Sequence, residues 1–534
     1  MNRKPPADLN SGALLSASGA QALDGEASAH WGLNAYALVE AAGRACAGAF
    51  SRVYATEKRE HSIVVFAGKG NNAADALVML KALILDGYAQ ASACSIFAVQ
   101  IPEPLSGGGT PLSGAMLAVR KLGVTVTVWE TAAAAAALAK ADVLIDGIAG
   151  TGLTGPLHGA ALEMAELINA GGQDKPFVVS VDLPSGNFDG WQTGMPLVAA
   201  HATLAIEPHK LCLYNQAARP YAGTIIPVRG IFPLALVEKY REAELVAWEA
   251  AAARIPPVSK TAYKYERGLV EIMAGSSGAA GAARLAALGA QAAGAGLVRL
   301  IVAPSLYPMV APGCSGIMVV PGGADAEEGR FTPDAALLGP GWGRGEDRRR
   351  LLESYLPLEQ QGLPLVLDAD AIVLAKDIVF NGNTLLTPHP GEFAAYTGLS
   401  KDEILCNPLP ALRRCAAEKK VHILYKSHVL YVVSPDGRTG IIDGMNPALA
   451  AGGSGDVLAG FCASIAARWR SVAARVTQRS KSCDMYDCAC AAASLLVRAA
   501  QSKNIAGAFF DPAELAAAAA VIAGAAWLPV RSHP

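Results

Sequence analysis

Short, wholly apolar runs that end in a glycine- or proline-rich turn bearing a carboxylate recur through both halves of this 534-residue chain. Helix-like stretches alternate with them. In the first half Ser62-Ile-Val-Val-Phe66 leads through a polar turn into a helix-like stretch from Ala73 to Leu85. Val143-Leu-Ile145 and Phe177-Val-Val-Ser-Val181 have the same apolar form. A strand with no polar alternation is buried on both faces, so helices must cover both faces of its sheet. The repeated strand–turn–helix pattern therefore predicts an α/β fold with parallel sheets. In such sheets ligands bind beyond the carboxyl ends of the strands, and the polar residues singled out below fall at those ends.

A chain of this length is expected to hold two or more domains. Arg229-Gly-Ile-Phe232 closes one apolar run. A charged stretch from Glu238 to Glu249 reads as a helix, Ile255-Pro-Pro-Val-Ser259 as a linker, and the β/α pattern restarts at Gly268-Leu-Val-Glu-Ile-Met-Ala-Gly275. The expected domains are 1–240 and 241–534. A content of 52% hydrophobic and 17% charged residues suits a well-buried globular enzyme, and a net charge of −2 offers nothing to nucleic acid. The ten cysteines are scattered and read as reduced, buried thiols of a cytoplasmic protein. The Cys483…Cys488-Ala-Cys490 group has no histidine near it and reads as structural.

Met1 to Ser18 lacks the apolar core of a signal peptide. The apolar stretch from Leu515 to Val530 is short for a membrane span, rich in alanine and contains Pro529. Asp511-Pro512 before it reads as an N-cap and a first-turn proline, so a packed helix is expected and no membrane partner. The alanine tracts 132–137 and 516–520 read as plain helix. The basic stretch from Arg468 to Asp487, with Arg470, Arg475, Arg479 and Lys481, reads as a solvated helix or loop.

Six loops of the second half should converge on one sheet edge. They are Gly275-Ser-Ser-Gly-Ala-Ala-Gly-Ala282 ahead of a helix from Ala283 to Ala293, Gly339-Pro-Gly-Trp-Gly343 after a strand at Ala336-Leu-Leu338, Leu365-Val-Leu-Asp-Ala-Asp370, Leu385-Leu-Thr-Pro-His-Pro-Gly-Glu392, Ile423-Leu-Tyr-Lys-Ser-His428, and Asn446-Pro-Ala-Leu-Ala-Ala-Gly-Gly-Ser-Gly-Asp-Val-Leu-Ala-Gly460. In the last, Gly452, Gly453 and Gly455 permit a tight bend, and a helix is expected from Val457. A glycine turn opening a helix presents bare N–H groups and the positive end of the helix dipole to an anion, most often a phosphate. Asp456 stands in the middle of that anion site, which is unfavourable unless the carboxylate does chemistry or holds a metal or hydroxyl.

The order of these six loops over about residues 255–525 resembles the ribokinase-like superfamily, and within it the ADP/ATP-dependent NAD(P)H-hydrate dehydratase family. Thr387-Pro-His-Pro-Gly-Glu392 and the run from Asn446 to Gly460 match that family almost letter for letter. The resemblance implies repair of NADH or NADPH that has added water across a ring double bond. The hydrate hydroxyl is phosphorylated and phosphate then leaves. Asp456 would take the hydroxyl proton, and the N–H groups of Gly453 to Gly455 would receive the phosphoryl group. Ala282, Gly341, His389 and Asp456 would line the hydrate site. Lys426, Ser427, His428, Val429, Leu430 and Gly455 would contact ADP, or ATP, with Mg2+. Two departures stand out. Ser427-His428 replaces the family's usual Gly-Ala, and Ala279 stands where the family commonly has an aromatic residue.

In the first half, Ala67-Gly-Lys-Gly-Asn-Asn-Ala-Ala-Asp75, Asp146-Gly-Ile-Ala-Gly-Thr-Gly152 and Val181-Asp-Leu-Pro-Ser-Gly186 each follow a strand. Their clustered Asn, Asp and Ser oxygens suit a hard cation or a sugar–phosphate ligand. With Ala22-Leu-Asp24 and Leu38-Val-Glu-Ala-Ala-Gly43, they resemble the NAD(P)H-hydrate epimerase domain over roughly residues 15–235. That resemblance implies interconversion of R and S hydrates, so that both reach a dehydratase that accepts only S. Asn72, Asp146 and Ser185 would hold a potassium ion. Asn71, Asn72, Ala73, Ala74, Asp75, Gly150, Thr151, Gly152, Leu153, Thr154, Gly155, Pro156 and Asp182 would contact the hydrate, with Asp182 moving a proton.

The two resemblances together imply a Rossmann-like three-layer αβα domain followed by a ribokinase-like αβα domain, in a homo-oligomer. Asn71-Asn-Ala-Ala-Asp-Ala76 departs from the epimerase pattern Asn-Asn-Gly-Gly-Asp-Gly. Alanine at a φ > 0 position costs about 1–2 kcal/mol. Either the loop takes a helical form that admits alanine, or epimerisation is lost in a folded domain. The alternative reading is a ribokinase-like small-molecule kinase with a non-catalytic N-terminal binding domain.

Overall fold

The computed structural model describes residues 12–54, 61–102, 109–171, 176–322, 332–473, 484–503 and 509–528. They fall into two compact units, one spanning Gly12–Ala243 and the other beginning at Glu244.

The first unit contains β1 (Gly12–Leu15), β2 (Ile63–Ala67), β3 (Cys94–Ala98), β4 (Thr125–Val128), β5 (Val143–Gly147), β6 (Phe177–Val181), β7 (Ala202–Ile206), β8 (His209–Lys210) and β9 (Thr224–Val228). β1 and β8 form a short parallel pair. The other seven run parallel in the order β4-β3-β2-β5-β6-β7-β9. β2 shows why the sheet needs two covers. Ile63, Val65 and Ala67 join one core with the helices Ala35–Val53, Asn71–Leu85 and Pro111–Lys121. Val64 and Phe66 join another with Thr131–Leu138 and Ala160–Ala170. The result is the expected three-layer αβα arrangement. The chain winds outward from β2 to β4, then returns to β5 and winds the other way. That reversal opens a crevice beyond the carboxyl ends of β2 and β5.

The second unit repeats the plan. Its strands are β10 (Ala243–Leu245), β11 (Leu269–Met273), β12 (Leu297–Val302), β13 (Met318–Pro321), β14 (Ala335–Leu338), β15 (Leu365–Leu367), β16 (Thr384–Leu386), β17 (His422–Tyr425), β18 (Val429–Val433) and β19 (Thr439–Asp443). They lie in the order β13-β12-β11-β14-β15-β16-β17-β18-β19-β10. The run from β13 to β17 is parallel, and β17, β18 and β19 are joined antiparallel. Here the winding reverses between β11 and β14. No described helix is long and apolar enough to cross a membrane.

Several elements differ from the sequence-based expectation. The helix expected from Ala73 starts at Asn71, the one expected from Ala283 starts at Ala280, and the one expected from Val457 starts at Ser454. In each case helix geometry takes in the polar or glycine residues of the preceding turn. The charged stretch from Glu238 to Glu249 is not one helix. Leu234–Lys239 and Trp248–Arg254 are short helices around β10, whose Glu244 and Leu245 pair with Gly440 and Ile441. Arg468 is not solvated. It is buried with its guanidinium 4.0 Å over the Trp527 ring, a cation–π contact that lets a charge sit in an apolar core. Arg475, Arg479, Lys481 and Cys483 lie outside the described residues; among the described residues no group of three or more His, Cys, Asp or Glu that could hold a metal ion is found.

The helices Ala280–Ala292 and Ser454–Ala473 touch backbone to backbone. A Cβ on Gly289 would stand 2.3 Å from the Val457 carbonyl oxygen, and one on Gly460 would stand 2.2 Å from that of Ala286. Gly460→Ala should force the helices apart and destabilise this unit by about 1–3 kcal/mol. Gly25→Ala, in the helix Ala17–His30 with no neighbour within 4 Å of the new methyl, should be neutral or stabilising. Denaturant midpoints for the two variants check the contrast.

Two candidate active sites

In the second unit the loops after β11, β14, β15, β16 and β17 stand side by side in sheet order. The first two meet at the winding reversal. Gly275 N donates to Pro340 O at 2.9 Å. A Cβ on Gly341 would lie 3.0 Å from that of Ala282, so these two expected hydrate-site residues are brought together. After β15, Asp368 is 2% exposed and its Oδ1 accepts from Thr387 Oγ1 at 2.7 Å and Lys426 Nζ at 2.6 Å. Lys426 itself is fixed by donating its backbone N–H to Pro388 O at 2.8 Å. Its Nζ lies 3.2 Å from where a Cβ on Gly455 would stand. Lys426 and the glycine turn therefore share one pocket edge.

That turn is shaped by Gly453, with φ of 102°. A side chain there would also run into Leu285 at 2.4 Å. Ser454 N–H donates back to Ala451 O at 3.2 Å, so within the expected anion cradle this donor is engaged in the turn itself. Asp456 sits in the first turn of the helix Ser454–Ala473. Burial, then the charge of Asp368, pushes its pKa up to about 7, with Glu392 adding to the rise and Lys426 opposing it. Burial alone would weaken the Lys426 cation, but Asp368, Glu392 and Asp456 outweigh it and its pKa is raised.

His389 is the N-cap of the helix Pro390–Thr397. Its Nδ1 accepts from Gly391 N at 3.0 Å and Glu392 N at 3.3 Å, while Glu392 accepts from His389 N at 2.9 Å. Ser427 and His428 form the turn between β17 and β18. Ser427 Oγ pairs with the carbonyl of Val429, and His428 is exposed. Val429 and Leu430 are buried strand residues, which leaves them no side chain to offer a nucleotide.

In the first unit a cavity of about 650 Å³ opens over the reversal between β2 and β5. Asn71, Asn72, Asp75, Gly150, Thr151, Gly152, Leu153 and Asp182 line it, with Asp24 and Lys210. Ala73, Ala74, Thr154, Gly155 and Pro156 do not. The alanines belong to the buried sides of the helix Asn71–Leu85, with nothing of their surface exposed. Neither they nor Ala76 have positive φ, so the strain that alanine would suffer in a left-handed turn is absent.

Beneath the cavity Asp146 accepts from four donors. Its Oδ1 accepts from Ser185 Oγ at 2.5 Å and Ile148 N at 3.2 Å, and its Oδ2 from Ser180 Oγ at 2.7 Å and Ser185 N at 2.9 Å. Burial raises its pKa against these bonds. Asn72 Nδ2 donates to Ala149 O at 3.1 Å, and Ser185 Oγ lies 3.1 Å from the same carbonyl. Asn72 Oδ1 is buried with no donor. An unpartnered amide oxygen beside a hydroxyl and a carbonyl, above a buried carboxylate, is a donor set that fits a hard monovalent cation.

Asp182 takes φ of 63° directly after β6. Its Oδ1 accepts from Lys210 Nζ at 2.6 Å, and Lys210 also donates to Ile206 O at 3.0 Å. Burial pushes Asp24 up to about 6, with Lys210 opposing and Asp182 adding. Lys210 was not singled out in the sequence, and Asp24 entered only as part of the run Ala22-Leu-Asp24, with no role of its own. For Lys210 the signal was there, a strand running into a cation, the same signal that marked Lys426.

The family model described as NAD(P)H-hydrate dehydratase matches residues 270–520, and that described as YjeF-related protein N-terminus matches residues 35–212. The chain is 27% identical over 455 residues to the bifunctional NAD(P)H-hydrate repair enzyme of Coxiella burnetii, covering 83% of this chain and 88% of that protein. It is 30% identical over 473 residues to the protein of the same description from Moorella thermoacetica, covering 85% and 88%. A solved structure, the ADP/ATP-dependent NAD(P)H-hydrate dehydratase from Bacillus subtilis co-crystallized with ATP and Mg2+, is 25% identical with a TM-score of 0.46, covering 53% of this chain and 99% of that one.

Returning glycine to the helix Asn71–Leu85 tests the alanine placement. Ala74→Gly should destabilise the first unit by about 1–2 kcal/mol, from lost helix propensity and a lost buried methyl. Thermal melting of the variant is the measurement.

Proposed function

This chain belongs to the bifunctional NAD(P)H-hydrate repair enzymes, and on that premise we propose how its two sites divide the work. It repairs hydrated NADH and NADPH, by epimerisation of the R and S hydrates and by nucleotide-dependent dehydration of the S form. The epimerase domain is 1–240 and the dehydratase domain 241–534. The observation that carries the dehydratase assignment is Asp456, a carboxyl with a pKa of about 7 in the first turn of a long helix behind a glycine turn.

Asp456 takes the proton from the hydrate hydroxyl as it attacks the terminal phosphoryl group of ADP or ATP. A base poised near neutrality is matched to that task. The Gly453 and Gly455 N–H groups and the helix dipole receive the transferring charge. Lys426, anchored by Asp368, adds a fixed cation beside them. Loss of phosphate then re-forms the ring double bond, and phosphate is a far better leaving group than hydroxide. Ala282 and Gly341 form the wall on which the hydrate ring rests, with His389 at its edge. Mg2+ would travel with the nucleotide phosphates and neutralise part of their charge. It needs only one or two protein carboxylates, and Asp368, Glu392 and Asp456 all act on Lys426 at that end of the site.

In the epimerase domain Asn72, Asp146 and Ser185 would hold potassium, whose charge would anchor the anionic part of the hydrate. Asn71, Asn72, Asp75, Gly150, Thr151, Gly152 and Leu153 receive the hydrate, and Asp182 moves the proton.

With R and S hydrates supplied separately, restoration of the reduced-nicotinamide absorbance should depend on nucleotide and start without a lag only from S. Asp456→Asn should lose dehydration by about 100-fold or more and leave epimerisation intact; loss of both activities would overturn the two-site reading. The kcat/KM for dehydration should rise with pH through about 7, because ionisation of Asp456 creates the base. Glu392→Gln removes a charge that opposes this ionisation, so the rising limb should move to lower pH.

A further inference from the structure

Asp75 lines the epimerase cavity, and its buried Oδ1 has no hydrogen-bond partner. The Asp75 side chain is on the first turns of the helix that follows β2, and Asp182 directly follows β6. β5 lies between those strands, so the elements that carry the two carboxyls leave the sheet on either side of the central strand. Both line the cavity. Their surroundings differ. Asp182 is ion-paired with Lys210 at 2.6 Å. Asp75 Oδ1 is buried and accepts no hydrogen bond. A carboxylate oxygen buried without a donor or a directly paired cation is unfavourable, and protonation lowers that penalty. Burial first, and then the Asp182 charge, raise the Asp75 pKa well above its ordinary value, with Lys210 opposing.

The chemistry of the hydrate calls for such a group. Water adds across an enamine double bond with the proton on the carbon remote from nitrogen and the hydroxyl on the carbon bonded to nitrogen. The epimeric carbon therefore carries both hydroxyl and nitrogen. The nitrogen lone pair can expel the hydroxyl, but only if the oxygen is protonated as it departs.

We propose that Asp75 is the general acid of the epimerisation, acting from one face of the hydrate ring while Asp182 acts from the other. This rests on the epimerase reading above. The Asp75 carboxylic acid gives its proton to the hydroxyl, the C–O bond breaks, and its electron pair leaves with water as the nitrogen lone pair forms C=N+. A water on the Asp182 face attacks the same carbon, the C=N π pair returns to nitrogen, and Asp182 accepts the proton lost by that water. The product is the opposite epimer with nothing gained or lost. The reverse reaction uses Asp182 as acid and Asp75 as base, and water in the cavity returns the proton between turnovers.

The test is inversion of the R hydrate by the full-length protein in ¹⁸O-labelled water, followed by chromatography and mass spectrometry. Wild type should place one solvent oxygen in the product per inversion. Asp75→Asn should slow inversion by about 100-fold or more, while dehydration of supplied S hydrate continues at the wild-type rate. Asp75→Glu, which keeps the acid, should recover part of the activity and so separates lost acid from lost fold. Inversion that keeps the original oxygen, or an Asp75→Asn rate within threefold of wild type, would overturn the proposal and leave the epimerase reading standing. A wild-type protein that does not invert R hydrate at all would overturn both.

Discussion

Parallel strand pairing is the constraint from which both sites follow. Because every strand from β11 to β17 points the same way except across the hairpins that begin at β17, each loop leaving a strand's carboxyl end emerges at one edge. Residues as distant in sequence as Ala282, Gly341, Asp368 and Lys426 thereby become neighbours without any of them contributing to the core. The winding reversal does the rest. At β2 and β5 the helices that follow the strands cover opposite faces of the sheet and a cavity opens over the reversal, while at β11 and β14 the two loops touch and set Ala282 beside Gly341. The backbone contact between Ala280–Ala292 and Ser454–Ala473 then fixes the glycine turn of Gly453 at that edge.

The two sites share one electrostatic device. Each sets a lysine among several carboxyls. Lys210 faces Asp182, Asp75 and Asp24. Lys426 faces Asp368, Glu392 and Asp456. In each, one carboxylate is bonded to the ammonium group and another is pushed upward by burial and by its neighbours' charge. Residues of one chemical type are thus separated into ionised and protonated roles by environment alone. The difference between the sites lies in where the raised carboxyl stands. Asp456 is at the start of a 20-residue helix, where a departing proton leaves it beside N–H groups suited to phosphate. Asp75 is over a buried core, where its neutral form is preferred.

Much of this was legible in the sequence because the signals are local. Apolar runs ending in glycine turns gave the strands and their direction, and Thr387 to Glu392 with Asn446 to Gly460 gave the second site. What was not legible depends on contacts across the chain. The run Ala22-Leu-Asp24 gives its carboxylate no task, and Asp24 gains one only beside Lys210 and Asp182. β10 is three residues long and is a strand because β19 offers it an edge. Arg468 reads as a surface charge until Trp527, 59 positions along the chain, supplies a ring to cover it. Helix starts were misplaced by two or three residues for one reason. Polar and glycine residues read as loop, whereas the first turn of a helix is where their free N–H groups and side chains are most useful.

The run Asn71 to Ala76 illustrates this with the greatest consequence. Read as a loop, its alanines threaten the backbone and the ligand. As a helix, it divides by face. Asn72 and Asp75 are one turn apart and share the cavity face, while Ala73, Ala74 and Ala76 are wholly buried on the others. Ala76 fits because Gly147 opposite has no side chain; a Cβ there would stand 2.6 Å from that of Ala76. Residues at these three positions are therefore chosen by packing and helix propensity, in which alanine exceeds glycine by about 1 kcal/mol. The polar residues that carry the chemistry are untouched by that choice. The departure from the glycine pattern lies on the sides of the helix turned away from the cavity, and it stiffens the element that carries Asn72 and Asp75 at the cavity wall.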